Sequence, residues 1–549
     1  MSDERPAALK RVLVIGGYGG FGARLCRRLQ AHHLLIGGRS EEKARRFCAT
    51  LPSAEPVVVD REGDVSAVLA RHRPDLVIDS AGPFQGSGYQ VPRACIATGI
   101  PYVDLADARH FVTDAAALDG EARAAGVSVV VGASSVPALS GAVARRLAAG
   151  LGSVSTVDIA ISASNRASGG EAVMAAILSY VGKPIRIWRG RRWAEAVGWQ
   201  EMKREDFTLS DGSGVRGRLV ALADVPDFDL LPELLPGRPS VAFRAGTELG
   251  FQMRSLWLAS WLVRWGWIRS LSPLRRLLIP LYRLTRALGG SSSAMSVTLK
   301  GSGVERRWTL VAVRGEGLEI PTMAAAILAE RILGGGLPAG VLNAAALLEL
   351  EDFAPAFAPL AIRHETVERP LPPPLYARVL GPHFEALPKA VRAIHSVTGD
   401  AGAFGEGTVV RGRSPLARLI ASLMRFSASG TVPLHVHFAE RAGRETWTRD
   451  FGGHLFSSEL SAPRGCIVER FGPLRFAFDI PADERGLEMH LARWSGFGLP
   501  MPRFLAPRIS AREWEEQGRF RFEVGVAMPL AGEVIRYQGW LRSGEEMSG

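Results

Sequence analysis

Gly17, Gly19 and Gly22 stand in the spacing G-x-G-x-x-G. They follow four apolar residues, Val12 to Ile15, and lead into a segment of helical character, Phe21 to Leu29. Strand, glycine turn and helix in that order make a phosphate cradle. Gly17 allows the tight turn, Gly19 lets the backbone approach a pyrophosphate, and Gly22 lets the helix pack on the strand. Free N–H groups at the helix start can then hold the phosphates. About 20 residues further on, where such cradles read the ribose, the run His33 to Gly38 ends in Arg39-Ser40. An acid there would bind a ribose 2′-hydroxyl, whereas an arginine accommodates a 2′-phosphate. Arg39 can grip phosphate with two hydrogen bonds and stack on adenine. Ser40 adds a hydroxyl and can cap the next helix. Together these residues have the chemistry of an NADP(H) site.

The elements that must hold this site follow at regular intervals. Pro56 to Asp60 reads as a third strand; Asp60 either receives the adenine amino group or merely ends the strand. Asp75 to Asp79 is a fourth, and the loop Ser80 to Gly88 after it includes Ala81-Gly82-Pro83. Residues 89–98 return to helical spacing. Pro101 to Asp107 is a fifth strand and Val127 to Val131 a sixth, ending in Gly132 to Pro137. Strands alternating with helices predict a Rossmann-like, doubly wound parallel sheet over residues 1–150, with ligands at the carboxyl ends of its strands.

The series VIGGYGGFG, GGRS with Lys43, AGPF, ACIATGIPYVDLAD and GASSVPALSG resembles the saccharopine dehydrogenase/reductase-like family. It is most similar to the broad branch that includes trans-acting enoyl reductases of complex-lipid synthesis. The resemblance implies NADP(H) binding by Gly17, Gly19, Gly20, Phe21 and Gly22, by Arg39 and Ser40, and by Ala81, Gly82 and Pro83. Where the family commonly ends the fifth strand in Gly-Glu, this chain has Ala106-Asp107. The block GEGLEIPTMAAAILAERIL also resembles the family, and implies a helix that packs back on the cofactor domain.

A length of 549 residues predicts two or three domains. The four cysteines, Cys26, Cys48, Cys95 and Cys466, lie far apart with no C-x-x-C pair, which points to reduced thiols rather than disulfides or zinc. The polar start MSDERPAALK reads as no secretory signal. The expected location is the cytoplasm, with contact at the inner face of a membrane. The net charge of +11 points to nucleic acid, anionic lipid or phosphorylated ligands.

An α+β middle domain for substrate binding or oligomerisation is expected over 151–367. Val157 to Ser162 reads as a strand, Ser168-Gly169-Gly170 as a turn, and Glu171 to Val181 as a helix followed by Lys183. The stretch from Arg254 to Leu288 holds Trp257, Trp261, Trp265 and Trp267, seven arginines including Arg283 and Arg286, and no acid. Its apolar runs fall short of the ~20 residues that span a bilayer. Tryptophan and arginine settle at headgroup level, so it reads either as two interfacial helices on anionic lipid or as a buried helical pair in a homodimer interface or substrate tunnel. Nucleic acid is not the expected partner, because the arginines alternate with bulky aliphatics. Two antiparallel strands are expected over 294–314, then a helix opened by Pro321.

A proline-rich linker is expected at 368–375, and a mostly antiparallel β domain over 376–549. That domain resembles one of unknown function found behind such reductases. Its strands read as Val432 to Glu440, Glu445 to Asp450, Gly465 to Arg470, Leu474 to Ile480, Gly486 to Arg493 and Arg519 to Met528. His395, His435, His437, His454 and His490 lack a third ligand at suitable spacing, so no metal site is expected. The reading is an NADP(H)-dependent oxidoreductase acting on a carbonyl, imine or activated C=C, on a small molecule that is lipid- or polyketide-linked. Tyr89, Asp107 and Lys183 are its candidate proton donors. The alternative is a catalytically silent NADP(H)-binding sensor or a membrane-surface interaction protein.

Overall fold

The computed structural model describes residues 9–166, 170–424 and 427–544. The first eight residues and the Ser168-Gly169 turn lie outside the described residues, as do the side chains of Arg283 and Arg286. Strands β1 (Arg11–Ile15), β2 (His33–Gly38), β3 (Ala54–Val58), β4 (Leu76–Asp79), β5 (Tyr102–Asp104) and β6 (Ser128–Val131) form an all-parallel sheet ordered 6-5-4-1-2-3. Both faces are covered, which is why the strands are continuous apolar runs. Val12 and Val14 enter one core while Leu13 and Ile15 enter the other, as the two-residue period of a strand requires.

Two expectations need correction. Strand β3 starts two residues earlier than the sequence pattern implied, so Asp60 lies beyond it. The sheet also has a seventh strand, Gly340–Asn343, parallel to β6, which the pattern did not show. It follows the helix Ile320–Leu333, which has its proline in the first turn and packs on α1 (Gly22–Arg28). Glu319, just ahead of that helix, bridges Arg24 and Arg28 of α1, each at 3.0 Å.

The second sheet also has seven strands, ordered Lys203–Thr208, Gly214–Leu222, Ser240–Thr247, Thr156–Ala163, Ser293–Gly301, Val304–Ala312 and Ile362–Pro370. Only the pair Ser240–Thr247 and Thr156–Ala163 is parallel. Its last strand takes in the first three residues of the proline-rich stretch. One hydrophobic core runs from Val12 and Val14 through the helix Ser140–Ala148 to Val157, Trp308 and Leu310. Residue 150 therefore separates two sheets and not two cores.

The C-terminal part is a closed antiparallel barrel of ten strands. Leu474–Asp479 pairs with Gly486–Gly496 to complete the ring. Four of its strands, Asp400–Arg411, His454–Ser461, Arg508–Glu516 and Gly532–Ser543, were not legible in the sequence. The barrel has its own core. It meets the turn of a separate two-stranded hairpin, Pro184–Arg189 with Arg192–Val197, through His435 Nε2 on the Gly190 carbonyl at 2.8 Å, and the second sheet through Lys300 on Glu440 at 2.8 Å. Among the described residues no three side chains cluster as metal ligands, and no helix is long and apolar enough to cross a membrane.

Candidate functional site

The turns after β1, β2, β4 and β5 share the carboxyl edge of the first sheet, and the order of strands reverses between β1 and β4. A crevice opens at such a reversal. Gly16 leaves β1 with φ +77°, a conformation suited to glycine, and its N–H donates to Gly37 O at 2.8 Å. A Cβ on Gly16 would stand 3.1 Å from Ala81, so the β1 turn and the β4 loop touch. Gly17 is buried and Gly22 is tighter still: a Cβ on Gly22 would meet Gly16 O at 2.1 Å and Ser80 Oγ at 2.7 Å. Gly19 and Gly20 form the exposed lip. A Cβ on Gly20 would meet nothing within 4 Å. Phe21, at the N-cap of α1, brings no side-chain acceptor, and the amides of Gly20 and Phe21 take no part in the turn's backbone bonding. Donors without protein acceptors on an open lip fit a pyrophosphate.

Arg39 is exposed at the end of β2 and, among the described residues, forms no ion pair. Its neighbours Arg45 and Arg46 are paired along their own helix with Glu41 and Glu42, which leaves Arg39 as the free guanidinium at this strand end. Ser40 does cap that helix, accepting from Lys43 N at 3.4 Å. Its own N–H donates to Tyr18 Oη at 3.1 Å. Tyr18 went unnoticed in the sequence. Its ring lies on Gly38, where a Cβ would come within 2.4 Å of it, so it ties the glycine turn to the Arg39-Ser40 corner. Asp60 is exposed, and its carboxylate accepts from Glu62 N at 3.1 Å in a tight turn. That bond is the end-of-strand role; one carboxylate oxygen stays outside it.

The loop with Ala81, Gly82 and Pro83 is built on a second pair the sequence hid. Arg61 reaches Asp79 at 3.1 Å, Ala81 O at 3.0 Å and Ser87 Oγ at 3.1 Å, and lies over the Phe84 ring at 4.8 Å. Burial raises the Asp79 carboxyl and the Arg61 charge opposes that rise. Gly82 and Pro83 stay exposed on top of this support. The β5 end is held in the same way. Asp104 is fully buried and accepts from Gly132 N at 2.8 Å and Ala106 N at 3.0 Å, tying β5 to β6. Burial pushes its carboxyl up to about 7, against the pull of those two amides.

Of the three candidate proton donors, only Asp107 stands at this edge with a free face. It is open to solvent, yet the protein crowded around it raises its carboxyl, and Gln85 Nε2 at 3.4 Å partly offsets that. The Tyr89 hydroxyl is engaged by the backbone: it donates to Phe111 O at 2.8 Å, and the ring packs on the Phe111 ring at 4.9 Å. Burial, then Asp114 and Asp104, push its phenol up to about 12. Lys183 closes the turn after the helix Gly170–Tyr180 through its backbone, donating to Tyr180 O at 3.0 Å and accepting from Gly198 N at 2.9 Å. No side-chain bond ties it to the cleft.

Tyr180, the last residue of that helix, is the group the sequence reading missed. Among the described residues its hydroxyl has no hydrogen-bond partner. Burial raises its phenol first, and the carboxylates of Asp107 and Asp224 add to the rise. The phenol therefore stays protonated, within electrostatic reach of the Asp107 and Asp224 carboxylates. Nothing local to the helix marks the residue, because the carboxylates that couple to it come from distant segments. The middle domain is clamped here by Arg109, whose guanidinium binds Asp224 at 3.1 Å, Asp229, and the Arg186 carbonyl.

Residues 12–130 match the family described as Saccharopine dehydrogenase NADP binding domain. Residues 387–541 match a domain of unknown function, DUF4166. No curated protein matches the chain. Solved structures with a similar trace include an amine dehydrogenase from Mycobacterium smegmatis, 12% identical, covering 63% of this chain and 97% of its own, with a TM-score of 0.35. A dehydrogenase (MviM) from Clostridium difficile is 8% identical, covering 64% of this chain and 96% of its own, with a TM-score of 0.31. GenD2 from gentamicin A biosynthesis, in complex with NAD, is 17% identical, covering 54% of this chain and 71% of its own, with a TM-score of 0.27. The N-terminal match supports a nucleotide-dependent oxidoreductase with a nicotinamide cofactor.

Proposed function

We propose that the chain is an NADP(H)-dependent oxidoreductase acting on a carbonyl, imine or activated C=C, with a lipid- or polyketide-linked substrate. The observation that carries the cofactor choice is Arg39, an exposed guanidinium with no ion pair at the end of β2, where an acid would have selected a 2′-hydroxyl. The Gly19-Gly20 lip and the amides of Gly20 and Phe21 would hold the pyrophosphate. Arg39 and Ser40 would hold the 2′-phosphate, and Gly82 and Pro83 would flank the cofactor beyond it. Nicotinamide, when bound, supplies or accepts hydride.

The protein's own part is to orient and to move a proton. Tyr180 carries a proton at neutral pH, since its phenol is raised, and spends it on no protein acceptor. It is the group to donate to a developing oxyanion, amido nitrogen or carbanion centre, and Asp107, whose charge its phenol feels, would take up or return that proton.

Titration with NADPH and NADH, read by nicotinamide fluorescence, tests the cofactor. Arg39→Ala removes a charge-assisted, two-pronged contact, so NADPH affinity is expected to fall by about 10–100-fold while NADH affinity holds. Equal loss for both nucleotides would end the 2′-phosphate assignment. Tyr180→Phe is expected to lower kcat by about 10²–10⁴-fold in NADPH oxidation with enones, ketones or imines, the usual weight of a lost general acid. NADPH affinity should not change. An unaltered kcat would remove Tyr180 from the chemistry.

A further inference from the structure

The tryptophan- and arginine-rich stretch folds as two helices, Gly250–Arg264 and Arg275–Leu284, with short turns between and after them. Met253, Val263 and Leu271 go inward, onto Leu178 and Trp199. The outward side is not what a water-facing helix presents. Leu277, Leu281, Leu284 and Leu288 recur at spacings of four, three and four, and are 69%, 57%, 78% and 68% exposed. Trp265 and Trp267, at the end of the first helix, are 60% and 75% exposed, with their rings 5.8 Å apart. Single exposed leucines are ordinary, but a run of this kind marks a contact surface.

What surrounds it selects the partner. Arg254, Arg264, Arg269, Arg275 and Arg276 are exposed, and no acidic residue occurs between Glu248 and Glu305. Among the described residues none of the five forms an ion pair; Arg264 donates to Gln200 Oε1 at 2.8 Å. A symmetric contact with a second copy would set arginine against arginine with no counter-charge. An anionic bilayer supplies phosphate to every guanidinium and an acyl boundary to the leucines and indoles.

We propose that this face docks the protein on an anionic lipid surface, with the leucine stripe and Trp265 and Trp267 entering the headgroup boundary and the arginines meeting lipid phosphates. Neither helix is long or apolar enough to cross. The attachment is therefore peripheral and sensitive to salt. The inference is independent of the cofactor assignment, because it concerns a surface that vesicles alone can probe.

The test uses the full chain and vesicles of phosphatidylcholine, alone or mixed with phosphatidylglycerol, read by co-sedimentation and tryptophan emission. Binding is expected only to the mixed vesicles, with a blue shift in emission and loss at high salt. Leu277→Asp with Leu281→Asp, and separately Arg275→Glu with Arg276→Glu, are each expected to weaken it at least tenfold. All four side chains are exposed, and circular dichroism checks that the variants keep the fold. No binding by wild type overturns the proposal, as does undiminished binding by both double variants. Wild-type dimers in light scattering that the leucine variant converts to monomers, with no vesicle binding, would assign the face to a second copy instead.

Discussion

Arg109→Ala is expected to lower stability by about 3–5 kcal/mol, the cost of breaking a buried ion pair from one side. Arg109 opens the short helix Arg109–Asp114 after β5 and is 7% exposed. Everything it binds belongs to the middle domain: Asp224 at 3.1 Å, Asp229, the Arg186 carbonyl, and the faces of Trp193 at 5.7 Å and Phe228 at 5.4 Å. Burial works against its charge, but Asp229 and Asp224 more than offset that and hold it protonated. Without the guanidinium, two carboxylates lose their cation and a carbonyl its donor. The Asp224 carboxyl is already raised by burial against the pull of Arg109, and it would rise further. Both aspartates keep some contact with water, which places the loss toward the lower end of the range. Arg109→Lys restores charge without the planar fork, so it should recover only part. Denaturant unfolding by far-UV circular dichroism measures both. A loss below about 1 kcal/mol for the alanine variant would mean that the shared core, not this clamp, holds the two domains together.

The clamp also shows where sequence reading stops. The cradle was legible because its parts are consecutive: an apolar run, glycines at set spacing, a helix, and then a short strand ending in Arg39-Ser40. Each strand of the first sheet except one announced itself by a local apolar run. The exception, Gly340–Asn343, has four residues and gains its identity only by lying beside Ser128–Val131, more than two hundred positions away. Tyr180, Arg61 and Tyr18 escaped for a related reason. Each matters through what it meets, and the partners lie on other segments. In the barrel, alternation revealed strands only where inward residues are apolar. Asp400–Arg411 has glycine at inward positions 405 and 407, and Arg508–Glu516 turns Glu513 inward toward His395, so their patterns do not alternate cleanly. For the stretch from Arg254 to Leu288, composition left both a buried pair and an interfacial pair open. The fold buries one side and exposes the other, a distinction that lies in helix orientation rather than in content.

Two glycine substitutions separate the architecture of the cradle from its use. Gly22→Ala is expected to lower NADPH affinity by at least about 100-fold and to cost about 1–3 kcal/mol of stability, the usual range for overpacking. Its methyl group would stand 2.1 Å from Gly16 O and 2.7 Å from Ser80 Oγ. Neither can retreat freely. Gly16 O accepts the Gly19 N–H at 2.8 Å, and Ser80 Oγ donates to Ile15 O at 2.8 Å. The helix must therefore lift from the strand, and the Gly19-Gly20 lip moves with it. Gly20→Ala carries no such burden, because its methyl group meets nothing within 4 Å and its φ is not in the left-handed region. The fold should be indifferent to it, and even slightly stabilised by the lost freedom of the unfolded chain. Yet the methyl would stand on the open lip where a pyrophosphate must come close, so NADPH affinity should fall while the unfolding midpoint does not. Nucleotide titration and thermal unfolding, run on both variants, read the two effects apart. Were Gly20→Ala to bind NADPH as tightly as wild type, the lip would not be the phosphate site, and the loss in Gly22→Ala would record only a distorted turn.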